Sequence, residues 1–177
     1  MWYYRFFKNL TTDVGIDLVS STTLVYIKGH GIVLAEPSIV AINQKTGRGV
    51  AVGDDASEMS GRTPAHIQAS KPLENCVISN FEVGEEMIAC FLRKALSSVG
   101  KAYFRPRVVV SVHSDITNVE RRAVRDAVMN AGAREVHIVE SPMAAAIGIN
   151  IPVYDPVGNM IVDIGGGTTD IAVISLG

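Results

Sequence analysis

Cysteine is scarce: Cys76 and Cys90 are the only two in 177 residues. Two cysteines at that spacing make neither a disulfide framework nor a metal cluster, which points to a reducing compartment. Long apolar runs are missing too. The longest uncharged stretch, the 14 residues 141–154, is interrupted by Pro142, Gly148 and Pro152. That falls short of the roughly 20 apolar residues needed to span a bilayer. The apolar start is too brief for a secretory leader and has no cleavage site, so none is expected. Charge of one sign is lacking as well, with 16 basic and 18 acidic side chains and a net charge of −2. Nucleic-acid-binding domains are usually basic, so no nucleic-acid partner is expected. With 47% apolar and 19% charged residues the chain is not disordered, and its length suits one domain or slightly more.

The first ten residues (MWYYRFFKNL) carry their apolar groups in steps of 1, 3, 1 and 3. Trp2, Tyr3, Phe6, Phe7 and Leu10 therefore share one face of a helix, flanked by Arg5 and Lys8. A short helix with an aromatic face and basic flanks suits an anionic membrane surface. Trp2, Phe6 and Phe7 are its candidate membrane contacts. One copy should bind weakly, so stable attachment would need several side by side.

Residues 13–18 (DVGIDL) and 22–28 (TTLVYIK) read as strands around a turn at Ser20 and Ser21. A third extended run covers 31–42, where Pro37 forces an edge or a bend. Residues 43–49 read as a loop, 57–61 as one helical turn, and 62–72 as irregular. A helix is expected over 82–99, with Met87, Ile88, Phe91, Leu92, Ala95, Leu96 and Val99 on one face and Gly100 as its stop. A second opens with the capping box Thr117-x-x-Glu120 and ends at Gly132. Val119, Ala123, Val124, Ala127, Val128 and Ala131 form its expected buried face. Residues 107–112 (RVVVSV) read as a strand buried on both faces, 136–139 as another, and 142–149 as a short helix with proline in its first turn. Strands alternating with helices argue an α/β fold with helices packed on a central sheet.

The most informative feature is an internal match. Residues 16–27 (IDLVSSTTLVYI) lie over 162–173 (VDIGGGTTDIAV) at an offset of 146 residues. Asp17 meets Asp163, Thr22 meets Thr168, and Thr23 meets Thr169. Each copy reads as a hairpin with an aspartate near the end of its first strand. Gly165, Gly166 and Gly167 let backbone N–H groups approach a phosphate. Thr168 and Thr169 can add hydroxyl donors. Asp17 and Asp163, facing one another, suit a hydrated Mg²⁺. No Gly-Lys-Ser/Thr follows, so this is not a P-loop.

At these residues the chain resembles the MreB family of bacterial actin homologues, within the actin, heat-shock chaperone and sugar kinase superfamily. The resemblance runs through VGIDL, TLVYIKGHGIVLAEPSIVAI, GRTPAHI, ITNVERRAV, AGAREV, SPMAAAIG and MIVDIGGGTTDIAVISL. It implies an actin-like ATPase (ribonuclease H-like) α/β fold, a mixed central sheet flanked by helices plus the first hairpin of a second similar domain. The expected division is a membrane helix at 1–10, a first domain at 11–148 with a small subdomain at about 36–67, and the start of a second domain at 149–177. The resemblance further implies ATP and Mg²⁺ as cofactors and self-association into filaments, with Asp17 to Thr23 (Ser20, Ser21 and Thr22 among them) as the first phosphate loop and Asp163 to Thr169 as the second. It places such filaments peripherally on the inner face of the cytoplasmic membrane, working with the cell-wall elongation machinery to maintain rod shape.

The chain departs from the family pattern in places. The usual Asp-Leu-Gly-Thr-Ala-Asn-Thr becomes Asp17-Leu18-Val19-Ser20-Ser21-Thr22-Thr23, and a β-branched Val19 is costly if that position needs φ > 0. Glu-Glu-Pro becomes Glu140-Ser141-Pro142, which puts Ser141, a poor base, at the position that orients the attacking water. Glu140 and Ser141 are the candidate catalytic pair, and little hydrolysis is expected. The usual Val-Pro-Ser-Gly becomes Val112-His113-Ser114-Asp115, with His113 read as structural or exposed. Family members also continue beyond the second hairpin, so apolar surface should be exposed there. An alternative role is a non-hydrolysing scaffold that co-assembles with an intact filament protein.

Overall fold

A computed structural model describes residues 12–59, 61, 66–74, 77–78, 80–101, 105–166 and 168–175. The helix expected at residues 1–10, with Trp2, Phe6 and Phe7, lies outside them, as does Gly167. In chain order the strands are β1 (Asp13–Leu18), β2 (Thr22–Ile27), β3 (Gly31–Pro37), β4 (Val40–Asn43), β5 (Gly49–Val52), β6 (Ile67–Ser70), β7 (Leu73–Glu74), β8 (Val77–Ile78), β9 (Arg107–Val112), β10 (Glu135–Glu140), β11 (Asn159–Ile164) and β12 (Thr169–Ile174). The helices are α1 (Asp54–Met59), α2 (Phe81–Ser98), α3 (Asn118–Asn130) and α4 (Ser141–Gly148).

The main sheet has the order β10-β9-β1-β2-β3. β10, β9 and β1 run parallel, while β1, β2 and β3 form an antiparallel meander. Alternation puts Val14, Ile16 and Leu18 of β1 beside Val108, Val110 and Val112 of β9 on one buried face. That face is covered by Met87, Ile88, Phe91, Leu92 and Ala95 of α2 and by Val124, Ala127 and Val128 of α3. The opposite face is only partly covered: Tyr26 is 47% and Val109 44% exposed. The expectation that β9 is buried on both faces therefore holds only toward its carboxyl end, where Ser111 joins its buried neighbours.

Local signals set the helix ends. Asn80 Oδ1 accepts from Val83 N–H at 3.2 Å to start α2. Gly100, at φ +70°, ends it as Lys101 N–H returns to Leu96 O at 2.8 Å. At α3 the capping box is formed, with Thr117 N–H donating to Glu120 Oε2 at 2.8 Å and Glu120 N–H to Thr117 Oγ1 at 3.3 Å. Val119 is exposed, contrary to its expected place in the core. It lies nine residues before Val128, a half-integral number of helical turns, and so faces solvent.

Pro37 ends β3, and the chain passes through Ser38 into a second sheet of order β5-β4-β6. β6 falls within residues expected to be irregular. Its short, non-alternating run is held as a strand by antiparallel pairing to β4. Glu36 ties this region to α2, accepting from Lys94 Nζ at 2.9 Å. Further along, α4 packs on the β11–β12 hairpin through Ala146, Val153, Ile161 and Ile174. The other face of that hairpin exposes Met160, Val162, Ile164, Ile171 and Val173.

Asp13 at the start of β1 accepts from Arg107 Nε at 2.8 Å and Nη2 at 2.6 Å. Those hydrogen bonds hold its carboxyl below the ordinary value of 3.8. A lowered folded-state value contributes stability that is present above 3.8 and is lost as pH falls through the lowered value. Urea unfolding at a series of pH values should show a steeper acid loss of stability for the native chain than for Asp13→Asn; identical acid limbs would rule the contribution out.

Candidate functional site

The two hairpins repeat in register as well as in sequence. Leu18 pairs with Thr23 across the first turn and Ile164 with Thr169 across the second. One pair further back, Asp17 sits opposite Leu24 and Asp163 opposite Asp170. The hairpins face a common cleft of about 60 Å³, and Asp17 and Asp163 both line it. Its wall includes Val19, Gly165 and Thr168 from the two turns, and Asp170, His113 and Ser141.

The first turn is held from beneath by Ser38, which is fully buried. Ser38 Oγ donates to Val19 O at 2.6 Å, and Ser38 N–H donates to Ser21 O at 3.1 Å. Because the Ser38 hydroxyl proton is used there, the 2.9 Å contact with buried Thr23 makes Thr23 Oγ1 the donor to Ser38 Oγ. Thr23 thus supports the turn and does not face the cleft. Asp17 is oriented by Ser111, its register partner on β9, whose Oγ donates to Asp17 Oδ1.

In the second turn Gly165 N–H donates to Thr168 O at 2.9 Å. A Cβ on Gly166 would fall 2.7 Å from both Cβ and Oγ of Ser21. Real Cβ atoms do not approach so closely, so the two turns meet only because residue 166 is glycine. Val19 does not carry the strain anticipated for it. Asn150 is the only described non-glycine residue at positive φ. The Val19 side chain lies against the second turn, with Cγ1 3.6 Å from where a Cβ on Gly165 would sit.

The two catalytic candidates separate. Ser141 opens α4, lines the cleft, and donates from Oγ to Val112 O at 3.1 Å. Glu140 does not line the cleft. It is half exposed and pairs with Arg121 of α3 at 3.5 Å. Neighbouring residues at a strand end point to opposite sides, and here the serine takes the inner one. Of the hydroxyl candidates, Thr168 lines the cleft, Ser21 meets Gly166, Thr22 is half-buried at the start of β2, and Thr169 is exposed at the start of β12.

His113 lines the cleft and is half-buried. Its Nδ1 pairs with Oδ1 of Asp170, which is only 9% exposed. Ser114 N–H donates to the same nitrogen at 3.1 Å. Asp170 is the site residue that the sequence reading missed. The available signal was a carboxylate in the second copy where the first has Leu24.

The donor set fits a polyphosphate with a divalent cation. Two facing carboxylates fall short of a full protein cage, which suits Mg²⁺, an ion that keeps waters and takes phosphate oxygens. Gly165 lines the cleft with them, and the Thr168 hydroxyl there is a neutral donor. Asp17 and Asp163 would hold the ion.

Comparison with known proteins bears on this site. The family model described as MreB/Mbl protein matches residues 11–177. The cell shape-determining protein MreB of Escherichia coli (strain K12) is 49% identical over 172 residues, covering 94% of this chain and 49% of the relative. The cell shape-determining protein Mbl of Bacillus subtilis (strain 168) is 46% identical over 165 residues, covering 93% and 49%. The crystal structure of MreB5 of Spiroplasma citri bound to ADP matches with a TM-score of 0.81 at 35% identity, covering 94% of this chain and 49% of that one. The α/β fold expected from the resemblance is the fold found. The chain spans about half the length of the curated relatives it matches.

Ser38→Ala would strand the buried Thr23 hydroxyl and release the Val19 carbonyl. It should lower stability by about 1–3 kcal/mol in denaturant unfolding. A change near zero would show that the first turn holds its shape without Ser38.

Proposed function

The chain belongs to the MreB/Mbl family, and from that premise we propose that it is a nucleotide-binding subunit of actin-like filaments that direct cell-wall synthesis and maintain rod shape. The observation that carries this reading is the pair of hairpins in identical register, which bring Asp17 and Asp163 into one cleft. The preferred ligand is ATP with Mg²⁺. The ADP in the related MreB5 structure supports an adenine nucleotide. Ser20, Ser21, Thr22, Gly165, Gly166, Gly167, Thr168 and Thr169 would surround the phosphates. Mg²⁺ would neutralise phosphate charge between Asp17 and Asp163.

Filament formation follows from family membership, with copies of the same chain as first partner and the wall-elongation machinery as the second. The aromatic and basic pattern of residues 1–10 supports peripheral attachment to the inner face of the cytoplasmic membrane. Among the described residues, no helix is long and apolar enough to cross a membrane.

Calorimetry with Mg·ATP tests the clamp. Saturable binding is expected, and Asp163→Ala should weaken it by about tenfold or more, since a charge-assisted contact is lost. Unchanged affinity would reduce the second hairpin to an ordinary turn. For the membrane claim, the chain should pellet with anionic liposomes and a variant lacking residues 1–10 should not; equal pelleting removes the claim.

A further inference from the structure

The two carboxylates suited to the cation are held very differently. One row of paired residues crosses the main sheet as Val139, Ser111, Asp17, Leu24 and Ala35. Ser111 is the only other polar side chain in that row, and it is buried. Its Oγ has two acceptors in reach, Asp17 Oδ1 and, at 3.4 Å, Ile16 O. A hydroxyl has one proton to donate. It goes to Asp17 Oδ1, the closer acceptor and the charged one. Oδ2 of Asp17 has no hydrogen-bond or ion-pair partner among the described residues, and Asp17 lines the cleft. Asp163 lacks such a support. Among the described residues β11 pairs only with β12, and no hydrogen bond or ion pair holds the exposed Asp163 carboxylate. The repeat therefore supplies one fixed carboxylate and one free one.

We infer that Ser111 is a positioning residue that sets which divalent cation accompanies the nucleotide, favouring Mg²⁺ over Ca²⁺. This deepens the nucleotide-binding reading and rests on it. With Oδ1 engaged by the hydroxyl, Asp17 has a single oxygen left for a cation. Mg²⁺ needs no more, because it binds through one or two carboxylates, keeps several waters and takes phosphate oxygens. Ca²⁺ takes more ligands and gains from carboxylates that chelate with both oxygens. For Asp17 to chelate in that way, the bond from Ser111 has to break. The buried hydroxyl would then be left with the distant Ile16 carbonyl. Asp163, unheld, can meet either ion, so the discrimination sits on the Asp17 side of the cleft. Fixing a metal ligand from behind by a hydrogen bond is a general device of metal sites.

The test is calorimetry of ATP binding to the purified full chain, run once with Mg²⁺ and once with Ca²⁺. The quantity read is the ratio of the two affinities, in chains whose fold circular dichroism has verified. Ser111→Ala is expected to cut the preference for Mg²⁺ about tenfold, the scale on which removing an outer partner acts on a metal site. Ser111→Thr keeps the hydroxyl and should hold the native ratio within about twofold. If Ser111→Ala does not fold, Ser111→Cys takes its place with the same expectation, since a thiol is a weak donor. A merely structural loss weakens binding with both cations alike and leaves the ratio unmoved. An unmoved ratio in Ser111→Ala therefore overturns the proposal, whatever happens to either affinity. So does a Ser111→Thr chain that loses the preference as fully as Ser111→Ala, because the hydroxyl would not be its source. Those outcomes leave the nucleotide reading standing. A native chain that does not bind ATP with Mg²⁺ overturns that reading, and this proposal with it.

Discussion

Parallel pairing of β1 with β9, and of β9 with β10, is the constraint from which the site follows. It aligns Asp17 with Ser111, and Ser111 with Val139, at the carboxyl ends of three neighbouring strands. His113 and Ser141 come immediately after two of those ends. Open α/β sheets place their ligand clefts at such ends. The register is held by burial, because Val14, Ile16, Val108 and Val110 all face the helices. A slip of one residue would turn that entire set outward and would move Asp17 off the edge of the cleft.

The second constraint is the meeting of two turns. The first is shaped from below by buried Ser38, whose hydroxyl holds Val19 O and whose N–H holds Ser21 O, with the Thr23 hydroxyl paired to it. The second comes close enough to touch it only because Gly166 lacks a side chain. Val19 fits this picture. It occupies space between the turns at an ordinary backbone angle, where a glycine would leave a gap. The repeated hairpin is therefore two halves of one container, each turn forming part of the other's wall.

Charge is distributed sparingly around that container. Glu140, the carboxylate nearest in sequence to the expected catalytic position, is spent on Arg121 at the surface. Asp170 is buried and matched to a single histidine. Burying a carboxylate without a partner is expensive, so His113 and Asp170 make sense only together. The pairing joins the residue that follows β9, in the main sheet, to β12, in the second hairpin, and gives the cleft a polar wall.

Local order was determined by the sequence alone. The capping box at Thr117, the glycine stop at Gly100, the apolar stripe of α2 and the two matching hairpins act over a few residues, so their signals are contiguous and readable. The resemblance in GIVLAEPSIVAI and DIGGGTTDIAV likewise carried the family and fold. Facing and partnership were decided by tertiary structure. The β11–β12 hairpin is apolar on both faces, so alternation could not say that Asp170 points inward while Ile171 and Val173 point out. Val119 and Val109 are apolar yet exposed, and β6 is a strand because β4 offers it an edge. Whether Glu140 or Ser141 enters the cleft depends on the direction in which β10 hands the chain to α4. The contact of His113 with Asp170 spans 57 residues of sequence. No local pattern encodes such a contact, because its energy exists only after the sheet has brought both ends together.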